Sequence, residues 1–114
     1  MLRIGAEHSA DTTTLRCFGR IVAGAEADSL QDAVVGLANK RVITVDLAGV
    51  DSIDAAGLGL LAFLQQLGCA VGFELQFTNP SPRVREVLEL TRLDSVLEVS
   101  NSEDLAGRFS DTAA

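Results

Sequence analysis

The sequence is poor in aromatic side chains and in positive charge. It contains no Trp, no Tyr, five Phe and one His, and nine Lys and Arg stand against sixteen Asp and Glu, for a net charge of -7. Proteins that bind nucleic acid or anionic membranes need basic surfaces, and single-stranded binders stack bases on aromatic rings. We therefore expect no nucleic-acid partner, and the acidic balance fits a protein partner with a basic surface.

Long apolar runs and cysteine motifs are also lacking. The longest apolar stretch, around Leu58–Leu64, is much shorter than the ~20 residues that span a bilayer. Met1–Glu7 is too polar for a secretory signal, so we expect a cytoplasmic protein without direct membrane insertion. Cys17 and Cys69 have no CxxC spacing and are expected to be buried free thiols.

The hydrophobic content indicates a globular domain. The chain has 114 residues, of which 47% are hydrophobic, enough for a single domain over residues 1–114 with a sizeable core. Hydrophobic periodicity predicts strands at 2–7, 11–20, 42–47, 71–77 and 96–99, and helices at 25–39, 55–69, from 82 onward and up to 109. The first two strands should form a hairpin, and the later strands should be parallel with right-handed crossovers.

Two details of this pattern are specific. The apolar strand Val42–Leu47 is typical of a central strand covered on both faces. Ser81 followed by Pro82 predicts an N-cap and the first residue of the third helix, which presents Val84, Val87 and Leu88 on one face. The fold class is α/β: a mixed, mostly parallel sheet with an N-terminal hairpin and about four helices mostly on one side.

The most informative segment joins the third strand to the second helix. It reads Asp46-Leu-Ala-Gly-Val-Asp-Ser-Ile-Asp-Ala-Ala-Gly-Leu-Gly59 and is interpreted as a buried strand, a tight turn and a helix start. Asp54 is the expected N-cap, and a carboxylate followed by small residues at a helix N-terminus can present a backbone cradle to a partner or an anion. Ala55 and Ala56 follow it, so neither of these two positions carries a hydroxyl.

This segment resembles the signature of the STAS domain, the fold of bacterial anti-sigma factor antagonists. A second block, Asn79–Asp94, is similar to the family's segment from strand four to helix three. The resemblance implies a STAS-like fold and a role in partner-switching control of transcription. In that mechanism the antagonist binds an anti-sigma factor that is also an ATP-dependent serine kinase, and phosphorylation of the antagonist blocks binding.

The resemblance also implies where the switch would lie. In phosphorylatable members a hydroxyl residue directly follows the Asp of the turn, and the matching position here is Ala55, with Ala56 beside it. A phosphate would add about 1.5 to 2 negative charges and three acceptor oxygens, and Ala55 can carry none of these. The resemblance therefore implies an antagonist that is not phosphorylated at the usual site.

We expect the partner to contact the turn and the first turns of the second helix, with the loop Gly19–Glu26 beside them. The predicted partner-binding residues are Ser52, Asp54, Ala55, Ala56, Gly57, Leu58 and Gly59. Leu58 is the apolar residue expected to be exposed to the partner. Gly57 and Gly59 serve either close helix packing or a flat docking surface, and Ser52 is more typical of a strand-end serine than of a displaced phosphosite.

Other functions have less support in the sequence. The same resemblance allows an alternative, a cytoplasmic STAS accessory subunit of a lipid-transport ABC system, in which this helix face would pack on the transport ATPase. A small-molecule or nucleotide-binding sensor would need a pocket with convergent polar groups, which the sequence does not show. We predict no enzyme activity, no catalytic residues and no cofactor, since ATP would belong to the partner. Asp46, Asp51 and Asp54 lack the spacing of a metal site.

Overall fold

The polypeptide forms one mixed sheet, with its strands side by side in the order in which the chain makes them. The structure, a computed structural model, describes residues 2–93, Leu97 and residues 99–100. The strands are β1 (Leu2–His8), β2 (Thr12–Ile21), β3 (Val42–Ile53), β4 (Glu74–Thr78) and β5 (Val99–Ser100). The helices are α1 (Ala25–Val35), α2 (Ala55–Val71) and α3 (Pro82–Thr91). The helix predicted up to residue 109 lies outside the described residues.

The sheet topology matches the prediction from the sequence. Among the described residues the sheet has five strands in the order β1-β2-β3-β4-β5. The β1–β2 pair is antiparallel, and the other three pairs are parallel. Because each parallel connection moves one strand in the same direction and such crossovers are right-handed, α1, α2 and α3 lie on the same face of the sheet.

The core fills the space between that face and the helices. In β3 the inward residues Ile43, Val45 and Leu47 are fully buried, whereas the alternate residues Val42 and Thr44 are only partly buried. The expectation that this strand is covered on both faces is therefore wrong, because all three crossover helices pack on one side. The alternation is typical of a sheet with one solvated face.

The boundaries of several elements differ from the prediction, most clearly those of α1, α2, β3 and β4. Helix α1 ends at Val35 rather than 39, and α2 continues to Val71, which was predicted to open the next strand. Gly72, with φ 109°, ends α2 because its left-handed conformation suits a residue without a Cβ. Strand β3 continues to Ile53, beyond its predicted end at Leu47, so the tight turn before α2 is reduced to Asp54.

The third helix begins as predicted. Ser81 is the N-cap of α3, Pro82 occupies the first turn, and Val84 and Leu88 are buried. The Ser81 hydroxyl also donates a hydrogen bond of 2.6 Å to the Val50 carbonyl oxygen. This side chain therefore fixes α3 to β3 in addition to capping the helix.

Candidate functional site

Asp54 is the only residue between the end of β3 and the start of α2. Its backbone is extended, with φ -104° and ψ -177°, as expected for an N-cap. Oδ1 accepts a 2.8 Å hydrogen bond from the Gly57 amide, and Oδ2 accepts a 3.0 Å bond from the Ala23 amide. One carboxylate therefore caps α2 and also holds the β2–α1 loop against it.

These two bonds set the charge state of Asp54. Hydrogen bonds from the Ala23 and Gly57 amides hold the pKa of the Asp54 carboxyl below its ordinary value, because both stabilise the ionised form. The Asp54 amide in turn donates to the Ile21 carbonyl oxygen at 3.3 Å. The expected juxtaposition of the turn with the loop between Gly19 and Glu26 is therefore confirmed.

Gly57 allows the two segments to come this close. A Cβ at Gly57 would collide with the Ile21 carbonyl oxygen and would lie 2.8 Å from the Ile53 side chain. At Gly59 a Cβ would meet nothing within 4 Å. Of the two roles considered for these glycines, close packing therefore belongs to Gly57, and an open outer surface belongs to Gly59.

The first turns of α2 expose small residues on one face and bury their neighbours on the other. Ala55, Ala56 and Gly59 are exposed, whereas Gly57 is buried and Leu58 is only 8% exposed. The prediction that Leu58 is the exposed apolar residue is wrong, because Leu58 lies on the face of α2 that packs on the sheet. We define the exposed residues Ala55, Ala56 and Gly59, together with Asp54, as the docking turn.

The exposed apolar residue near the docking turn is Phe63, while Val71 is exposed at the far end of α2. The Phe63 side chain is 50% exposed, and it lines a shallow groove of about 360 Å³ with Ala56 and Gly59 of α2 and Ala27 and Gln31 of α1. The i, i+3, i+7 spacing of Ala56, Gly59 and Phe63 places them on one helix face. That spacing was visible in the sequence, but the number of apolar residues in α2 hid which stripe faces outward.

Several acidic side chains, and the exposed Arg20 at the end of β2, lie near the docking turn. Glu26 and Asp28 lie in the first turn of α1, and Asp51 is exposed three residues before Asp54. Ser52 is partly buried within β3, where it pairs in register with Arg20 of β2. It is therefore a strand residue, in agreement with the structural role that the sequence favoured for it.

The other groups considered for chemistry are acidic side chains and the two thiols. In the part of the chain that the structure describes, no three His, Cys, Asp or Glu side chains are grouped to hold a metal ion. Asp46 accepts a hydrogen bond from the Ala48 amide at 2.9 Å. Burial, together with the Asp46 charge, raises the pKa of the Cys17 thiol to about 12, which keeps it neutral and unreactive. Cys69 is exposed, so the expectation that both thiols are buried is wrong for it.

Sequence comparison identifies a family model and a curated relative. The family model described as "Mlab, STAS domain" matches residues 4–98. A Bordetella bronchiseptica protein, named as a candidate anti-sigma factor antagonist, BtrV, is 30% identical over 105 residues, which cover 90% of each chain. The family model therefore covers all three helices as well as the docking turn.

Solved structures share the fold. The anti-sigma factor antagonist SpoIIAA in its unphosphorylated form superposes with a TM-score of 0.72 and 20% identity, over 96% of this chain and 97% of that one. A candidate anti-sigma factor antagonist from Thermotoga maritima gives a TM-score of 0.75 and 22% identity, over 92% of each chain. Among the described residues, no helix is long and apolar enough to cross a membrane.

Proposed function

Because the chain belongs to the STAS domain family, we propose that it is an anti-sigma factor antagonist that binds a kinase-type anti-sigma factor in partner-switching control of transcription. The observation that carries this proposal is the docking turn. Asp54 ties the β2–α1 loop to α2 through two amide hydrogen bonds, and Ala55, Ala56 and Gly59 stand exposed on this rigid base. Such a surface can bind a partner without reorganising.

The proposed interface includes all the residues predicted from the sequence, in two roles. Asp54, Ala55, Ala56 and Gly59 contact the partner directly. Gly57, Leu58 and Ser52 support the turn from below or beside it, as their burial favours. In this role the protein acts by binding in the cytoplasm, with no cofactor and no catalysis of its own, and ATP is bound by the partner.

We further propose that the usual phosphorylation switch is absent. The position that would carry the phosphate is Ala55, and Ala56 also lacks a hydroxyl. The nearest preceding hydroxyl, on Ser52, belongs to a partly buried residue within β3, where it is poorly placed for a kinase. The antagonist would therefore stay competent to bind whatever the kinase activity of its partner.

An affinity pull-down from the source cell tests the proposed partner. Ala55→Asp adds charge to the docking turn at a helix N-terminus, where an acid does not disturb the fold. Ala10→Asp is the matched control, since Ala10 is exposed in the β1–β2 turn at the opposite end of the strands. We expect the parent and Ala10→Asp to capture a kinase-fold anti-sigma factor and Ala55→Asp to lose it. Equal capture by all three proteins would contradict docking at the turn.

Mass spectrometry tests the missing switch separately. The parent, incubated with the captured kinase and ATP, should gain no stoichiometric phosphate, whereas Ala55→Ser should become phosphorylated and then dissociate. Stoichiometric phosphate on the parent, at Ser52 or elsewhere, would refute the unswitchable antagonist while leaving the identity of the partner intact.

One observation favours the second candidate, an accessory subunit of a lipid-transport ABC system. The exposed face of α2 continues from Ala56 and Gly59 to Phe63 and forms a groove with α1. This apolar surface along the first half of α2 suits a permanent contact with an ATPase as well as a reversible one. Capture of a transport ATPase, instead of an anti-sigma factor, in the same pull-down would assign the protein to this class.

A further inference from the structure

Strand β1 leaves one edge of the sheet open. Among the described residues nothing pairs with the outer side of Leu2–His8, whereas the opposite edge strand, β5, has only two residues. Natural proteins usually protect such an edge with charged side chains, especially Lys, or with Pro, a bulge or a covering element. Strand β1 has neither Pro nor Lys, and it pairs with β2 without a bulge.

The hydrogen-bond pattern of the hairpin shows which backbone groups face outward. The Ser9 amide donates to the Thr12 carbonyl oxygen at 2.8 Å, so residues 9 and 12 form a hydrogen-bonded pair. In an antiparallel ladder such pairs alternate. Gly5 and its odd-numbered neighbours therefore bond to β2, and the amides and carbonyls of Leu2, Ile4, Ala6 and His8 point away from the sheet.

These outward groups fit a second copy of the same strand. If two β1 strands pair antiparallel about a two-fold axis at Gly5, Ile4 lies opposite Ala6 and Leu2 lies opposite His8 of the other copy. Each of these pairs joins two outward-facing residues, so each can form both of its backbone hydrogen bonds. Gly5 then faces Gly5 of the other copy in a closely spaced, non-hydrogen-bonded pair. In the single chain a Cβ at Gly5 would meet nothing within 4 Å, so packing within the chain does not require this glycine.

The same register makes the charges complementary. It places Arg3 opposite Glu7 of the second copy, and the two-fold axis repeats this contact. Both residues are exposed, on the face of the sheet away from the helices, and side chains are closest in non-hydrogen-bonded pairs. Glu7 already contacts Arg16 at 3.0 Å while its side chain remains 62% exposed, so its carboxylate can accept a second guanidinium.

The inner face of β1 adds apolar contact. Helix α1 does not fully cover the strand. An open groove of about 650 Å³ is lined by Ile4 and Ala6 of β1 and, on the other side, by Ala33 of α1 and by Leu37, which follows that helix. In the two-fold register Ile4 of each copy packs against Ala6 of the other. We propose that the protein forms a symmetric dimer through antiparallel pairing of β1, which joins the two sheets into one.

Sedimentation equilibrium of the full chain, with any tag at the C-terminus, tests the dimer. The parent is expected to show twice its chain mass of 12.0 kDa. Arg3→Glu and Glu7→Arg each place like charges at both symmetry-related contacts and should weaken association about tenfold or more. A parent that stays monomeric at its highest soluble concentration, or single variants that dimerise as well as the parent, would overturn the proposal.

Mixing the two charge variants gives a sharper result. In a mixed pair both contacts become complementary again, so Arg3→Glu and Glu7→Arg should form a heterodimer although neither self-associates. Arg16→Gln is the control, because it removes the Glu7–Arg16 contact without changing the outer edge, and it should dimerise like the parent. Failure of the mixture to associate would contradict the register.

A backbone change provides an independent check. Ala6→Pro removes an outward-facing amide and leaves the β1–β2 ladder its hydrogen bonds, which edge prolines generally allow. A folded Ala6→Pro variant, verified by circular dichroism, should be monomeric, and one that still dimerises would refute pairing through β1. The proposed dimer and the proposed partner binding can be refuted independently, because Arg3→Glu should lose dimerisation and still capture the partner of the parent.

Discussion

At the scale of single residues, Asp54 links local structure to function. Its two carboxylate oxygens are used by two different segments, the Ala23 amide of the β2–α1 loop and the Gly57 amide of α2. An asparagine at this position has only one acceptor oxygen and could satisfy only one of these amides. The negative charge and the shape of the docking turn therefore depend on the same side chain.

The lowered pKa of Asp54 predicts a specific dependence of folding stability on pH. Because its folded-state pKa lies below the ordinary value of about 3.8, its contribution is present above that pH and is lost as pH falls further. Urea unfolding should show that Asp54→Asn destabilises the protein at pH 7 and that the difference from the parent shrinks below about pH 4. A difference that is constant from pH 7 to pH 2 would contradict this account.

Asp51→Asn is the matched control for that experiment. Asp51 is exposed in β3, and among the described residues its carboxylate is not held by a pair of amide donors. Its replacement should change the free energy of unfolding little at neutral pH. An equally large loss would show that general charge, rather than the two amide bonds, is responsible.

The two glycines of the docking turn predict opposite effects on stability. Gly57→Ala places a Cβ against the Ile21 carbonyl oxygen and should destabilise the fold by about 2 kcal/mol or more. Gly59→Ala enters open space on a helix and should stabilise it by about 0.5–1 kcal/mol. Thermal unfolding of both variants measures this contrast, and equal shifts in Tm would refute the structural distinction.

Asp54 and Leu58 differ in how far their surroundings can be predicted from the sequence. Asp54 could be identified as an N-cap because a carboxylate directly preceding a helix is a local signal. Leu58 and Phe63 could not be told apart, because α2 is apolar on more than one face and the sequence alone does not say how the helix is rotated on the sheet. The helix packs with Leu58 inward and Phe63 outward.

At the scale of elements, the length of β3 brings the docking turn into place. The strand runs from Val42 to Ile53, and its pairing with β2 shifts register twice, after Arg16 and after Gly19. These irregularities add two residues to β3 relative to β2. As a result β3 reaches Ile53, and α2 begins at Ala55 after its N-cap, Asp54. Element order was predictable from periodicity, whereas bulges interrupt the alternation on which strand prediction depends.

The start of α3 provides a prediction at this scale. Ser81→Ala removes the acceptor for the Val84 amide and the donor to the Val50 carbonyl oxygen, so it should cost about 1–2 kcal/mol of stability. Ser29→Ala, on an exposed part of α1, is the control and should be nearly neutral. Chemical denaturation checks both, and an equal effect of the two changes would mean that α3 is not fixed to β3 by Ser81.

At the scale of the whole molecule, the two proposed surfaces lie on different parts of the sheet. The docking turn follows the carboxyl end of β3, whereas the pairing edge is the side of β1, two strands away. A dimer through β1 would therefore present two docking turns, both free to bind. The excess of acidic over basic residues favours association with a basic partner at these turns.

Calorimetric titration with a purified kinase-type anti-sigma factor measures whether the docking turn binds this partner. We expect the parent and Ala10→Asp to bind with the same Kd and Ala55→Asp to bind at least about tenfold more weakly, a loss of about 1.4 kcal/mol. Equal affinity of all three proteins, or no binding by the parent, would contradict the account.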